Sequence, residues 1–257
     1  VPGLYIKAYT AVEIDFFART TDKSEVEVLN ELQRAGLDAL PGGGAEIFSE
    51  RLWRRHWRNK IGPADWLRIH RLAHGMGIPT NATMLFGFGE TWEERVAHLL
   101  RLRDAQDETG GFACFIPLAF QPGSGRFVEE GPTPLETLAV LAVSRLVLDN
   151  VTHLKSYRPM AGDDTAAAGL IWGADDMDGP ISEEKIAHLA GARTPVGLAR
   201  ERMIETITAA GFRPVERDGC FNERPLGAPA VDLAAAPGAT EPVGPQGSVP
   251  QQEDLHR

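Results

Sequence analysis

Short apolar runs that recur roughly every thirty to forty residues, each followed by an amphipathic stretch, constrain this chain more than any other feature. Residues 4–12, 37–40, 80–86, 112–120, 153–157 and 169–173 read as strands. Between and after them, 24–33, 63–76, the stretch following Thr91, 134–148 and 196–210 carry apolar residues at helical spacing. Ser24 with Glu27 and Thr91 with Glu94 form capping-box pairs. Pro63 suits a first helical turn, and Gly36 and Gly77 suit helix exits. Strands alternating with helices mean βα units and a parallel sheet, and nearly uniform apolar strands suit a sheet covered on both faces. Polar or glycine-rich groups follow most of the strands. A barrel collects its site from many strand ends in this way, whereas an open doubly wound sheet concentrates it at one switch point. The expected fold is α/β, a (β/α) barrel with about six βα units in this chain.

Charge and cysteine content narrow the function classes. Lys and Arg number 26 against 36 Asp and Glu, a net charge of −10, which disfavours a phosphate-tracking nucleic-acid surface. No run approaches the ~18 apolar residues of a membrane span, and no secretory leader pattern opens the chain. Cys114 and Cys220 are too few for a disulfide framework or a four-cysteine metal site, so a cytoplasmic protein is expected. The chain opens Val1-Pro2-Gly3 and reads as a piece of a longer protein. Residues 227–257 are rich in Pro, Gly and Ala and lack aromatic residues, so a disordered tail is expected after a folded part over 1–226.

Chemistry-bearing residues gather after the strands. In Pro41-Gly42-Gly43-Gly44-Ala45-Glu46, three glycines let backbone approach a ligand, and Glu46 can accept hydrogen bonds; a flexible βα turn is the plainer reading. Gly87-Phe88-Gly89-Glu90 repeats the theme, with a helix-dipole role open to Glu90. Asn81 and Thr83 share one strand face and need partners if it is the interior. Thr10 and Glu13 end the first run, as site residues or as a helix N-terminus. Gln121 is the one amide at the mouth of an apolar strand, and Asp175-Asp176-Met177-Asp178-Gly179 lacks the spacing of a calcium loop. His70 and His74 stand at i, i+4 without the Glu or third ligand of a zinc motif.

In this order, Lys7-Ala8-Tyr9-Thr10-Ala11-Val12-Glu13-Ile14, Leu40-Pro41-Gly42-Gly43-Gly44-Ala45-Glu46-Ile47, Ala82-Thr83-Met84-Leu85-Phe86-Gly87, Asp107-Glu108-Thr109-Gly110-Gly111-Phe112 and Phe115-Ile116-Pro117-Leu118-Ala119-Phe120 resemble a known group. It is the aminofutalosine synthases, radical S-adenosylmethionine enzymes of the futalosine route to menaquinone. The sister enzymes making cyclic dehypoxanthinyl futalosine carry Ser-Pro-Pro where this chain has Thr10-Ala11-Val12, and Trp-Thr where it has Leu118-Ala119. Deazaflavin-cofactor synthases are more distant, matched mainly by Gly173-Ala174-Asp175-Asp176.

The resemblance implies a (β/α)8 barrel and a [4Fe-4S] cluster that leaves one iron for the amino and carboxyl groups of S-adenosylmethionine. The cluster ligands are not in this chain. It further implies addition of a 5′-deoxyadenosyl radical to 3-[(1-carboxyvinyl)oxy]benzoate, giving aminofutalosine, with electrons from a donor such as flavodoxin or ferredoxin. In those terms Gly42, Gly43, Gly44 and Glu46 would hold S-adenosylmethionine. Glu13, Asn81 and Thr83 would be catalytic, and Thr10, Gln121 and Asp176 would contact substrate. No nucleic acid, membrane or protein-bound metal ion enters this reading. Gln121 and Arg158-Pro159 depart from the group's pattern at the site mouth. A cluster-less remnant that binds an adenosyl ligand, and a metal-dependent hydrolase using His70 and His74, are the competing readings.

Overall fold

The computed structural model describes residues 4–123, 128–178 and 199–226. Residues 6–214 form one compact unit; the described residues outside it, 4–5 and 215–226, belong to a second. The second unit holds the two-residue antiparallel pair β5 (Glu216–Arg217) and β6 (Glu223–Arg224).

In the larger unit, β1 (Thr80–Phe86), β2 (Phe112–Ala119), β3 (His153–Ser156) and β4 (Asp176–Met177) form a sheet in chain order with every pair parallel. Parallel bridges Lys7–Ala39 and Leu40–Thr80 add two further segments ahead of β1. Six extended segments therefore lie side by side in the order they occur along the chain. No strand order reverses, which is barrel-type winding.

Helices α1 (Ala11–Thr21), α2 (Glu25–Arg34), α3 (Glu50–His56), α4 (Pro63–Gly75), α5 (Trp92–Thr109), α6 (Pro134–Val147), α7 (Arg158–Ala161), α8 (Asp163–Ile171) and α9 (Arg200–Ala209) connect or follow the strands. Ser24 and Thr91 close the expected capping boxes, and Pro63 and Pro134 occupy first turns. Trp66, Ile69, His70 and Ala73 form the buried stripe of α4, and Leu99, Leu102 and Ala105 that of α5. Both stripes enter one core with Ala82, Met84, Phe86, Phe112 and Phe115 from the helix-facing side of β1 and β2. Each fully buried Leu or Phe contributes roughly 1.5–3 kcal/mol relative to exposure.

Two strand expectations are corrected. The run 4–12 is reduced to a bridge at Lys7, because Thr10 and Glu13 cap each other and start α1 at Ala11. The run 169–173 begins as the end of α8, and the last strand of the sheet is Asp176–Met177 instead. Periodicity cannot separate so short an apolar run from a buried helix turn. Gly169 decides the packing here: a Cβ on it would lie 2.5 Å from Ser156 Oγ and 2.8 Å from Leu141 Cδ1, so α8 can press against β3 and α6 only with glycine there. Strands 80–86, 112–120 and 153–157 and helices 63–76 and 134–148 match within a residue at each end. Of the helix expected over 196–210, residues 200–209 form α9, and 196–198 lie outside the described residues, as does 227–257.

Candidate functional site

In β1, Thr80, Ala82, Met84 and Phe86 face the helices, which leaves Asn81, Thr83 and Leu85 on the opposite face. Asn81 Oδ1 accepts from Lys7 Nζ at 3.3 Å, reaching across the intervening 39–40 segment. The register places Cys114, Ile116 and Leu118 of β2 beside them. Lys155 of β3 meets Asp176 Oδ2 at 3.3 Å and Asp178 Oδ1 at 3.1 Å. One face of the sheet thus carries an ammonium with two carboxylates at one side and an ammonium–amide pair at the other. Apolar side chains lie between them.

Asp178 is 7% exposed. Burial pushes its carboxyl above the usual range and neighbouring Asp176 adds to the shift, while Lys155 and the Arg158 backbone amide oppose it. Among the described residues its Oδ2 has no hydrogen-bond partner. Arg158 opens α7 directly after β3 and is 2% exposed; Nη1 lies 3.1 Å from Asp163 Oδ1, and Nε has no partner. Sequence reading passed over Lys155 and weighed Asp178 only as part of an acidic turn. A lysine within an apolar strand run was the available signal, since a charge there must face an interior or a ligand.

The residues singled out earlier fall into different places. Thr10 and Glu13 are a reciprocal cap: Thr10 N–H donates to Glu13 Oε2 at 2.7 Å, and Glu13 N–H to Thr10 Oγ1 at 3.4 Å. Of the two readings open for Glu13, the helix terminus is the one its geometry fits. A Cβ on Gly42 would lie 2.7 Å from the Asn81 carbonyl oxygen, one on Gly43 3.0 Å from Thr10 Cγ2, and one on Gly44 would overlap Val12. The missing side chains therefore make room for β1 and the start of α1, and Gly44 also lines the cleft that holds Glu46. Thr83 Oγ1 closes the loop by donating to Gly42 O at 2.5 Å.

Glu46 holds a positive φ of 47° and pairs with Lys60 Nζ at 2.7 Å, in a cleft lined by Trp53, Trp57 and Trp66. Gln121 Nε2 donates to Ala119 O at 2.9 Å and Met160 O at 3.1 Å, tying the end of β2 to α7. Glu90 serves its own turn: its carboxylate accepts from Gly87 and Phe88 N–H at 2.5 and 3.0 Å and pairs with Arg95, whose other partner is Glu136.

His98, missed from sequence, stitches this region together. Its Nδ1 accepts from Phe48 N–H at 3.0 Å, and Nε2 lies 3.0 Å from Thr83 O, which fixes the Nε2–H tautomer. Burial holds its pKa down at about 3. His70 Nδ1 and His74 Nε2 lie 2.7 and 2.9 Å from the Thr80 hydroxyl, so the pair considered for zinc is occupied by a strand residue. No three His, Cys, Asp or Glu side chains converge to hold a metal ion among the described residues. Within them, no helix is long and apolar enough to cross a membrane.

Comparison with known proteins adds ancestry to this geometry. Residues 109–229 match the model of the CofH/MqnC C-terminal region. Over 227 residues the chain is 50% identical to aminodeoxyfutalosine synthase of Thermus thermophilus, covering 86% of this chain and 61% of the relative. Against cyclic dehypoxanthine futalosine synthase of Halalkalibacterium halodurans, identity is 36% over 217 residues, covering 84% of this chain and 58% of that protein. The chain thus spans about three fifths of the length of these relatives. The crystal structure of methylornithine synthase shares the fold, with a TM-score of 0.57 at 18% identity over 74% of this chain and 56% of that one.

Proposed function

We propose that this chain, 50% identical to the Thermus thermophilus aminodeoxyfutalosine synthase and matching the CofH/MqnC C-terminal region over residues 109–229, supplies the substrate-binding sheet of such an enzyme. The reaction would break the C5′–S bond of S-adenosylmethionine, releasing methionine, join the 5′ carbon to the enolpyruvyl group of 3-[(1-carboxyvinyl)oxy]benzoate and, after rearrangement, lose the enolpyruvyl carboxylate as carbon dioxide, giving aminofutalosine. One observation carries this choice over the sister reaction: identity of 50% to the synthase against 36% to the cyclic dehypoxanthine futalosine enzyme.

The [4Fe-4S] cluster of this chemistry, which would supply the electron that cleaves S-adenosylmethionine, does not fit the residues present. Cys114 is buried in β2, and Cys220 is exposed in the other compact unit. No step is therefore derived through it, and an external electron donor acting in the cytoplasm is part of this proposal only. The adenosyl ligand fits better at the strand ends, where Asp178 and Arg158 keep orphaned buried polar atoms, than at the glycine loop.

In this reading Lys155 holds Asp176 and Asp178 in place, and the cluster of one ammonium and two carboxylates suits the cationic, hydroxyl-bearing S-adenosylmethionine. Ile116 and Leu118 supply apolar surface that keeps water from a reactive intermediate. Asn81 and Thr83 hold the neighbouring Lys7 and glycine loop in place.

The test is anaerobic incubation of the product of the complete reading frame, reconstituted with iron and sulfide, with both substrates and analysis by mass spectrometry. Aminofutalosine is expected. Release of 5′-deoxyadenosine with no adduct contradicts the proposal, and cyclisation of dehypoxanthine futalosine instead transfers the chain to the sister activity.

A further inference from the structure

Two buried groups beyond the ends of β3 and β4 lack partners, and they are complementary. Among the described residues, Asp178 Oδ2 is an acceptor without a donor, and Arg158 Nε is a donor without an acceptor. Their residues are neighbours in space, since the backbone amide of Arg158 faces the Asp178 carboxylate. Folded proteins pair nearly all buried polar atoms, and a carboxylate oxygen left alone is among the costlier exceptions. The other carboxylate oxygen is already committed to Lys155 at 3.1 Å, and Arg158 Nη1 to Asp163 at 3.1 Å. The remaining valences are therefore fixed in place by ion pairs on either side.

The chemistry of the two proposed substrates separates them at this corner. An enolpyruvyl benzoate offers two carboxylates and an ether oxygen; ionised, it brings acceptors only, and its charge opposes that of Asp178 and Asp176. An adenosyl group brings ribose hydroxyls, each of which donates one hydrogen bond and accepts others. A vicinal diol is thus able to serve an orphaned carboxylate oxygen and an orphaned guanidinium N–H together.

We propose that Asp178 binds the adenosyl substrate by accepting a hydrogen bond from a ribose hydroxyl, with Arg158 Nε donating to the same diol. This inference rests on the adenosyl reading of the site. It gives the contact to Asp178, whose Oδ2 is unfilled among the described residues, in place of Asp176, which pairs with the same Lys155.

The experiment is calorimetric titration of the full chain and of Asp178→Asn with adenosine and with 2′,3′-dideoxyadenosine, after circular dichroism has verified folding. Asn replaces a charged acceptor by a neutral one without changing size, a difference of about tenfold in affinity. The expected result is adenosine binding weakened about tenfold by Asp178→Asn, with dideoxyadenosine binding equally to both proteins. Equal weakening of both nucleosides, or no weakening of either, overturns the inference while leaving the adenosyl reading in place. Should the variant misfold, the wild-type contrast decides alone: dideoxyadenosine must bind at least about tenfold more weakly than adenosine, and equal affinities refute the diol contact. A wild-type chain that binds neither nucleoside removes the adenosyl reading together with this inference.

Discussion

Thr80 carries one hydroxyl, and two imidazoles share it: His70 Nδ1 at 2.7 Å and His74 Nε2 at 2.9 Å, with His74 Nδ1 continuing to Thr109. Burial is the main cause that depresses all three core histidines, His70 well below its ordinary value, His74 to about 4 and His98 to about 3. The unfolded chain, with ordinary histidines near 6.5, binds protons that the folded chain refuses. Their stability contribution is complete above about pH 6.5 and is lost as pH falls toward the folded values, at roughly 1.4 kcal/mol per unit for each histidine. Urea unfolding at pH 7.5, 6.5 and 5.5 is expected to show this decline, and His98→Gln to flatten it by about one third. A stability independent of pH over that range contradicts the burial argument. The i, i+4 spacing of His70 and His74 was visible in the sequence, but their partner was not. Only the packing of α4 on β1 brings Thr80 between them, and that is a tertiary fact no local pattern carries. The caps at Ser24 and Thr91 were legible because both partners lie within four residues, whereas the one at Thr10 was hidden at the end of an apolar run.

Elements join where glycine permits close approach or where a buried ion pair closes a turn. A Cβ on Gly111 would overlap the His74 ring, so α4 and the start of β2 can meet only with glycine at that position. Gly111→Ala is expected to cost about 1–3 kcal/mol in chemical denaturation, and a neutral result means that the His74 ring is free to move aside. At the end of β1, Glu90 ties the Gly87 and Phe88 amides to Arg95, and through it to Glu136 at the start of α6. Its side chain is fully buried, so Glu90→Ala leaves a guanidinium with one partner and two amides with none. A loss of about 3–5 kcal/mol is expected, seen as a lower thermal midpoint. The strands at 80–86, 112–119 and 153–156 were legible because apolar runs stood between strong helix signals. α1, α3 and α8 were not: α1 follows directly on an apolar run that reads as a strand, α3 has only 7 residues, and α8 draws its stability from small residues packed on β3, not from an amphipathic pattern. In the glycine loop, conspicuous in the sequence, the absent side chains admit Asn81, Thr10 and Val12, partners that come from other elements and that no local pattern shows.

At the scale of the whole sheet, six parallel segments in chain order bring their C-terminal ends to one rim, where a barrel-type fold builds its site. The glycine loop, Glu90, Gln121, Arg158 and Asp178 all follow strand ends on that rim, whereas residues 76–79, 110–111 and 149–152 precede strands on the opposite one. The central claim is that the adenosyl substrate binds at the first rim. It is tested most directly by photolabelling the folded chain with 8-azidoadenosine and mapping the modified peptides by mass spectrometry. The account predicts adducts within 41–48, 87–90, 120–123 and 157–178, suppressed by excess adenosine. Competable adducts confined to 76–79, 110–111 or 149–152 would contradict it.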